Sequence, residues 1–328
     1  MRNENFIKWL LQYFPEREEA DWLADHQDVV SATETPNLLG VSNRYTPYEL
    51  YMRKLEGYPK IDNITLQRGR ALEPILLGEY SRRNNVKVFS NGHRMFTHPI
   101  YTDSGGTPDA YAVCEDGIVV IEAKTASGYF GIKKFDEGIP EEYRLQMHKN
   151  GAIIQAVFRK YFKKPPKIKV QLVYLLDDTY QQIPIEEVDY ESTSLLFAAD
   201  KDFMDKVRNG EAPEPISFND YKAQYREVIN DKQTEINDNI ISLFKRRNEI
   251  MAKLKQLQKV KKDLDTELEE IKIEVIKEIG DAESIVVPDD EEPIPVITHK
   301  YNAKGSRMLM FRETIFKKHF EGDDDAVI

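Results

Sequence analysis

The sequence predicts an α/β fold, a mixed central β-sheet flanked by helices, extended by one long helix and a terminal β-hairpin. Three observations carry that prediction. Segments with helical apolar spacing alternate with short strand-like runs through the first two thirds of the chain, as in a layered α/β domain. Residues 105–124, GGTPDAYAVCEDGIVVIEAK, read as a Pro-Asp turn, a short strand, a Glu-Asp-Gly turn and an apolar strand, a hairpin suited to the sheet centre. Between Pro215 and Gly280 there is neither Gly nor Pro, and apolar residues recur in alternating steps of four and three, the pattern of a long helix with a heptad seam. The expected divisions are residues 1–216 for the α/β domain, 217–280 for the long coiled-coil helix, and 281–328 for an acidic linker, a β-hairpin and a disordered acidic tail.

Taken in order, residues 3–30 carry helical apolar spacing interrupted at Pro15. Ser31, Thr33 and Thr35 then offer hydroxyls, and Pro36 to Gly40 is one short helix. Thr46 with Glu49 three residues on forms a capping box for the next helix. This stretch reads either as plain helix punctuation or as a phosphate-binding corner, because helix starts expose amides that suit anions. Residues 65–84 form a helix that carries Glu73 among Leu72, Ile75, Leu76 and Leu77. A carboxylate in that setting either needs a partner or a metal, or faces solvent. Arg68 and Arg70 precede it as phosphate-binding or solvated cations. Residues 86–103 read as two short strands around Asn91-Gly92. A Gly-rich loop follows the central hairpin, and residues 141–158 then form a helix with Tyr143 and Gln146 on one face and His148 close by. The strand 167–176 comes next, preceded and entered by the densest basic cluster of the chain, Arg159, Lys160, Lys163, Lys164, Lys167 and Lys169, either bland surface or a DNA backbone contact. A further strand and helix end at Gly210. The heptad seam runs through Ile236, Ile240, Leu243, Ile250, Leu254, Leu257, Leu264, Leu268, Ile271 and Val275, with Arg247 and Lys261 in its two gaps. The terminal hairpin turns around Ala303-Lys304-Gly305, with Lys300, Lys304 and Arg307 at a basic tip.

Composition narrows the function classes. A hydrophobic content of 41% over 328 residues supports a sizeable core, and no run approaches a membrane span. A single cysteine, Cys114, excludes an internal disulfide and fits a reducing cytoplasm, and no signal peptide is evident. The net charge of −11 argues against a generally basic DNA-coating protein but leaves room for cations along one groove. None of the six histidines stands at zinc-ligand spacing, no Gly-Lys-Ser/Thr loop is present, and no serine nucleophile elbow occurs.

The chemistry concentrates in the central hairpin. Asp109 and Glu122 lie one hairpin apart, and paired strands bring such positions to about 5 Å. Strand alternation places Lys124 on the face of Glu122. Converging carboxylates repel unless a cation sits between them, and hard oxygen ligands suit Mg²⁺ or Mn²⁺. The residues therefore point to a metal-dependent phosphodiesterase site.

Pro108-Asp109 and Glu122-Ala123-Lys124, preceded by Glu73, resemble the PD-(D/E)XK nuclease signature. With Thr33-Glu34 and LLG, TPYELYMRK, RGRALEP, TPDAY, IEAK and GIPEEYRLQ in that order, residues 25–205 resemble the YqaJ family of viral-type recombination exonucleases, the group of phage lambda exonuclease. The resemblance implies a restriction-endonuclease-like core. It implies that Glu73, Asp109, Glu122 and the carbonyl of Ala123 hold one or two Mg²⁺ or Mn²⁺ ions. Lys124 would orient or deprotonate the attacking water, whereas Gln146 and Tyr143 would position the water or the scissile phosphate. Thr33, Arg44, Arg68, Arg70, Lys160, Lys163 and Lys164 are the candidate DNA and 5′-phosphate contacts. The implied activity is 5′→3′ digestion of duplex DNA ends, with the remaining strand passed to a single-strand annealing recombinase or single-strand binding protein, by a homo-oligomer such as a ring trimer. An endonuclease or RecB-like module using the same site, and a non-catalytic scaffold built on the long helix, are the alternative readings. Thr33 stands where the family has serine and keeps the hydroxyl, no arginine lies between Arg17 and Arg44, and His148 replaces a second glutamine.

Overall fold

The computed structural model describes residues 2–58, 63–136, 138–226, 233–287, 294–301 and 307–320. The chain divides into two compact units, Met1–Val228 and Ile229–Ile328.

In the first unit, helices α1 (Asn3–Tyr13) and α2 (Glu19–Asp28) flank the break at Pro15. The short α3 (Thr35–Leu38) and α4 (Pro47–Glu56) follow, α4 capped by Thr46, whose hydroxyl accepts from the Glu49 N–H at 3.0 Å. Helix α5 (Ile64–Asn84) leads into β1 (Val88–Ser90), β2 (Phe96–Thr97), β3 (Gly105–Gly106), β4 (Ala110–Cys114) and β5 (Gly117–Ala126). A single-turn α6 (Gly128–Lys133) interrupts the Gly-rich loop before α7 (Glu141–Tyr161). Strands β6 (Lys167–Leu176), β7 (Thr179–Gln182) and β8 (Glu186–Glu187) and helices α8 (Tyr190–Asn209) and α9 (Phe218–Gln224) complete the unit.

The main sheet has the order β1-β4-β5-β6-β7, with β8 also paired to β6. The β4/β5 pair is antiparallel and β5/β6 is parallel, so the sheet is mixed, as its sequence pattern predicts. Alternation along β5 decides the layers. Ile118 and Val120 point into a core shared with α1 and α7, whereas Val119 and Ile121 point into a second core with Leu76, Leu77 and Tyr80 of α5. The apolar face of α5 is therefore Leu76, Leu77 and Tyr80, while Ala71 and Pro74 are exposed. Helix α7 approaches β6 so closely that a Cβ on Gly151 would collide with the Val170 side chain. Gly151→Ala is expected to cost about 1–3 kcal/mol through overpacking, read as a lower denaturant midpoint at unchanged slope.

Three expectations need correction. The two strands around Asn91-Gly92 do not pair with each other: β1 joins β4 in the main sheet, and β2 joins β3 in a small ribbon. The helix expected over 217–280 is present as α10 (Asp238–Ile279), capped by Asn237, whose side chain accepts from the Ile240 N–H. The residues before it include α9, which belongs to the first unit because Thr46 Oγ1 donates to Asp220 Oδ1 at 2.7 Å and Ser217 and Asp220 form a capping box. Part of the segment expected as linker is β9 (Ser284–Val287), the third strand beside the hairpin of β10 (Ile294–Tyr301) and β11 (Arg307–Phe311). A short α11 (Glu313–Phe320) follows. The PDDEEP run, the Ala303-Lys304-Gly305 turn and the acidic tail from Glu321 lie outside the described residues. Among the described residues no helix is long and apolar enough to cross a membrane.

Candidate active site

The hairpin of β4 and β5 sets the site. Ala110 pairs with Ile121, so Asp109 and Glu122 sit at the same end of the ladder, and the parity that puts Val120 against α7 puts Glu122 and Lys124 there too. Glu122 is 2% exposed, and its carboxylate is fully engaged. Lys124 Nζ and Gln146 Nε2 both donate to Oε1 at 2.5 Å, and Asn150 Nδ2 donates to Oε2 at 3.0 Å. Asp109 accepts the Ala123 N–H at 2.6 Å. The Lys124 ammonium lies 5.4 Å from the centre of the Tyr143 ring. Glu73 comes from α5 and is half-buried.

Burial and neighbouring charge tune these groups. Burial, then the charge of Glu122, pushes the Asp109 carboxyl well above the usual carboxylate range. Burial, then the same Glu122 charge, raises Glu73. Burial disfavours the Lys124 ammonium, but Glu122 and Asp109 more than offset it and leave its pKa raised. A bound cation would lower the Lys124 ammonium; without one, the acids dominate. Among the described residues no group of three His, Cys, Asp or Glu is drawn up to hold a metal ion, because Glu122 is occupied by Lys124, Gln146 and Asn150. The donor chemistry nevertheless fits one: Glu73 and Asp109, raised by burial and then by the Glu122 charge, are hard carboxylates whose ionised forms a divalent cation would favour.

A raised folded-state pKa on an acid means the folded protein binds the extra proton. The stability it contributes is present below the unfolded value and is lost as pH rises through the raised one. Asp109→Asn is therefore expected to raise the melting temperature of the metal-free protein at neutral pH by about 2–5 °C, with the gain shrinking toward pH 4. Melting curves across that range check it, and an equal gain at all pH values would contradict it.

The remaining predicted residues separate into two groups. Thr33 and Arg44 line a cleft of about 650 Å³ together with Ser42, Lys134, Tyr143 and Gln146, so the N-terminal motif does face the start of α7. Ser31 and Thr35 do not serve as a phosphate corner. Thr35 is fully buried and its hydroxyl donates to Asp200 at 2.7 Å, while Ser31 is 4% exposed and its N–H caps Glu34. Arg68 and Arg70 lie on α5 within two turns of Glu73, with Arg70 ion-paired to Glu19 at 3.2 Å. Lys160, Lys163 and Lys164 are exposed at the far end of α7, about 21 Å along the helix from Gln146, so the structure does not bring them to the site. Lys167 and Lys169 of the same cluster pair with Glu187 and Asp116 at 2.8 Å each.

Sequence reasoning missed Asn150, which is 1% exposed, holds Glu122, and has a side-chain oxygen without a partner. Its position four residues after Gln146, on the same helix face, was the available signal. It also missed the support beneath the N-terminal motif. Glu34 accepts from Lys54 at 2.9 Å and from Tyr58, and Lys149 donates to Asp200, Thr35 and the Val30 carbonyl.

Residues 21–156 match the family model of the YqaJ-like viral recombinase domain. The matched stretch contains Thr33, Glu73, Asp109, Glu122, Lys124, Gln146 and Asn150, and it ends before Lys160. The chain is also 26% identical over 257 residues, 76% of each chain, to a Bacillus subtilis (strain 168) protein described as uncharacterized protein YqaJ. Among solved structures, the alkaline exonuclease LHK-Exo from Laribacter hongkongensis aligns with a TM-score of 0.44 and 20% identity, over 63% of this chain and 100% of that one. Its complex with dAMP aligns with the same TM-score at 19% identity, over 63% of this chain and 98% of that one.

Proposed function

We propose that the first unit is a PD-(D/E)XK-type deoxyribonuclease, a Mg²⁺-dependent exonuclease that digests duplex DNA 5′→3′ and leaves 3′ single-stranded overhangs for an annealing or single-strand binding protein. The observation that carries this reading is the convergence of Asp109, Glu122 and Lys124 on one face of β4 and β5 with Gln146 of α7, inside the YqaJ-like domain.

Glu73, Asp109, Glu122 and the Ala123 carbonyl are the groups that would hold the ion. Bound there, Mg²⁺ would neutralise phosphate charge and make its water more acidic. Lys124, held beside Glu122 and over Tyr143, is placed to orient the attacking water or to take up its proton. Gln146 holds the Glu122 carboxylate and also lines the Thr33–Arg44 cleft, where a phosphate would find the Thr33 hydroxyl, Arg44 and Lys134, the last paired with Glu142 at 3.7 Å. Asn150 holds the other Glu122 oxygen and so keeps that carboxylate from rotating.

The test is digestion of a linear duplex labelled at the 5′ or 3′ end, with and without Mg²⁺, beside a covalently closed circle. Mg²⁺-dependent loss of the 5′ label with the circle intact is the expected result. Cutting of the circle would move the assignment to an endonuclease, and no cleavage with any divalent metal would overturn the enzymatic reading.

A further inference from the structure

Helix α10 carries an apolar seam that the described residues leave exposed. Its seam residues from Ile240 to Ile271 are 43–64% exposed. Such a row along a 42-residue helix, about 63 Å long, is stable in water only when covered.

The charges along the helix say by what. From Asp238 to Lys262 it carries eight Lys or Arg against two acids; from Asp263 to Ile279 it carries seven acids against two Lys. The order gains nothing from the helix macrodipole, which favours acids near the N-terminus and cations near the C-terminus. One ion pair is formed within the helix among the described residues, Lys272 to Glu269, so few of these charges are paired with one another along it.

We propose that α10 pairs antiparallel with the α10 of a second copy of this chain, basic half against acidic half. The seam itself discriminates between orientations. In a parallel pair Arg247 would meet Arg247 and Lys261 would meet Lys261, like charges opposed inside the interface. In an antiparallel pair centred between Lys255 and Gln256, Ile240 meets Ile271, Leu243 meets Leu268, and Leu254 meets Leu257. Arg247 then meets Leu264 and Lys261 meets Ile250, and at the flank Arg246 faces Glu267 of the other copy. Duplex DNA is the weaker occupant: it would cover the basic half, repel the acidic half and leave the seam bare. The inference stands on the second unit alone and does not depend on the nuclease reading.

Disulfide trapping in the full chain tests it. In a Cys114→Ser background, Ile240→Cys and Ile271→Cys variants are oxidised singly and after mixing and subunit exchange. Cross-linked dimers in the mixture and not in either variant alone are expected. Cross-linking of each variant alone would show parallel pairing, and none in any sample would show an unpaired helix; either overturns the proposal. Sedimentation supplies an independent readout that leaves the helix fold intact. Arg246→Glu is expected to weaken association at least tenfold, and Arg246→Glu with Glu267→Arg to restore it. Failure of the second change to restore association would overturn the antiparallel register.

Discussion

Lys124→Ala is expected to lower the single-turnover cleavage rate by about a thousandfold or more while changing duplex affinity by less than about threefold. Lys124 is the cation within hydrogen-bond reach of Glu122, and its ammonium faces Asp109 as well. A positioned proton-transfer group contributes roughly 10²–10⁴-fold to a rate. In the proposed role the ammonium would also orient the attacking water, so the effect belongs at the upper end of that range. DNA affinity resides in many distributed phosphate contacts, and one side chain at the base of a cleft adds little to it. Arginine does not replace it, because a planar fork cannot occupy the position of a compact ammonium between Glu122 and the Tyr143 ring. Affinity measured in Ca²⁺ beside cleavage measured in Mg²⁺ separates the two quantities. Parallel loss of binding and cleavage would contradict the assigned role.

Asp200→Ala is expected to destabilise the first unit by about 3–5 kcal/mol, the cost of leaving a buried charge without its partner. Asp200 and Lys149 have side chains 0% exposed, with Nζ and Oδ2 2.5 Å apart. Burial draws Lys149 below and pushes Asp200 above their ordinary values, each opposed by the other's charge. The same carboxylate receives the hydroxyls of Thr35 and of Ser104, the latter at 2.6 Å, so its removal strands three donors at once. The apolar pair Lys149→Met with Asp200→Leu is expected to recover much of the loss, since it removes both desolvation costs together. Chemical denaturation of the three proteins measures both effects. A single mutant as stable as the parent would mean that water or a shifted proton compensates the orphaned lysine.

The loss should reach the active site as well. Lys149 precedes Asn150 on α7, and its bond to the Val30 carbonyl ties that helix to the segment bearing Thr33. Cleavage by the Asp200 variant should therefore fall at temperatures well below its unfolding midpoint, a consequence of loosened positioning.

Much of the hairpin that carries the candidate site was legible from local spacing. Asp109, Glu122 and Lys124 are related by one turn and a two-residue strand period, and both relations are local. The capping of α4 by Thr46 and of α8's end at Gly210 followed from equally short-range rules. The uninterrupted seam of α10 was visible because no Gly or Pro breaks it, although its start was placed some twenty residues early: α10 begins at Asp238, and Phe218–Gln224 form the separate short helix α9.

Longer-range relations were not legible. The fate of the Ser31 and Thr35 hydroxyls depended on Asp200, more than 160 residues away from Thr35, which claims one of them. Lys160, Lys163 and Lys164 were candidates because they belong to the densest basic cluster of the chain, but Lys160 lies at the opposite end of α7 from Gln146 and the other two lie beyond that end. Strands β1 and β2 were separated because the free edge of β4 offered β1 a longer ladder than a two-residue ribbon could.

The sequence by itself determined the elements, the carboxylate–lysine arrangement of the hairpin and the heptad seam, because each is written in contacts between residues a few positions apart. The tertiary structure alone decided which buried charges meet, that Asn150 joins Gln146 on Glu122, and which cations stand near the cleft. Those outcomes depend on how layers pack, and a buried donor or carboxylate takes whichever partner the packing leaves within reach.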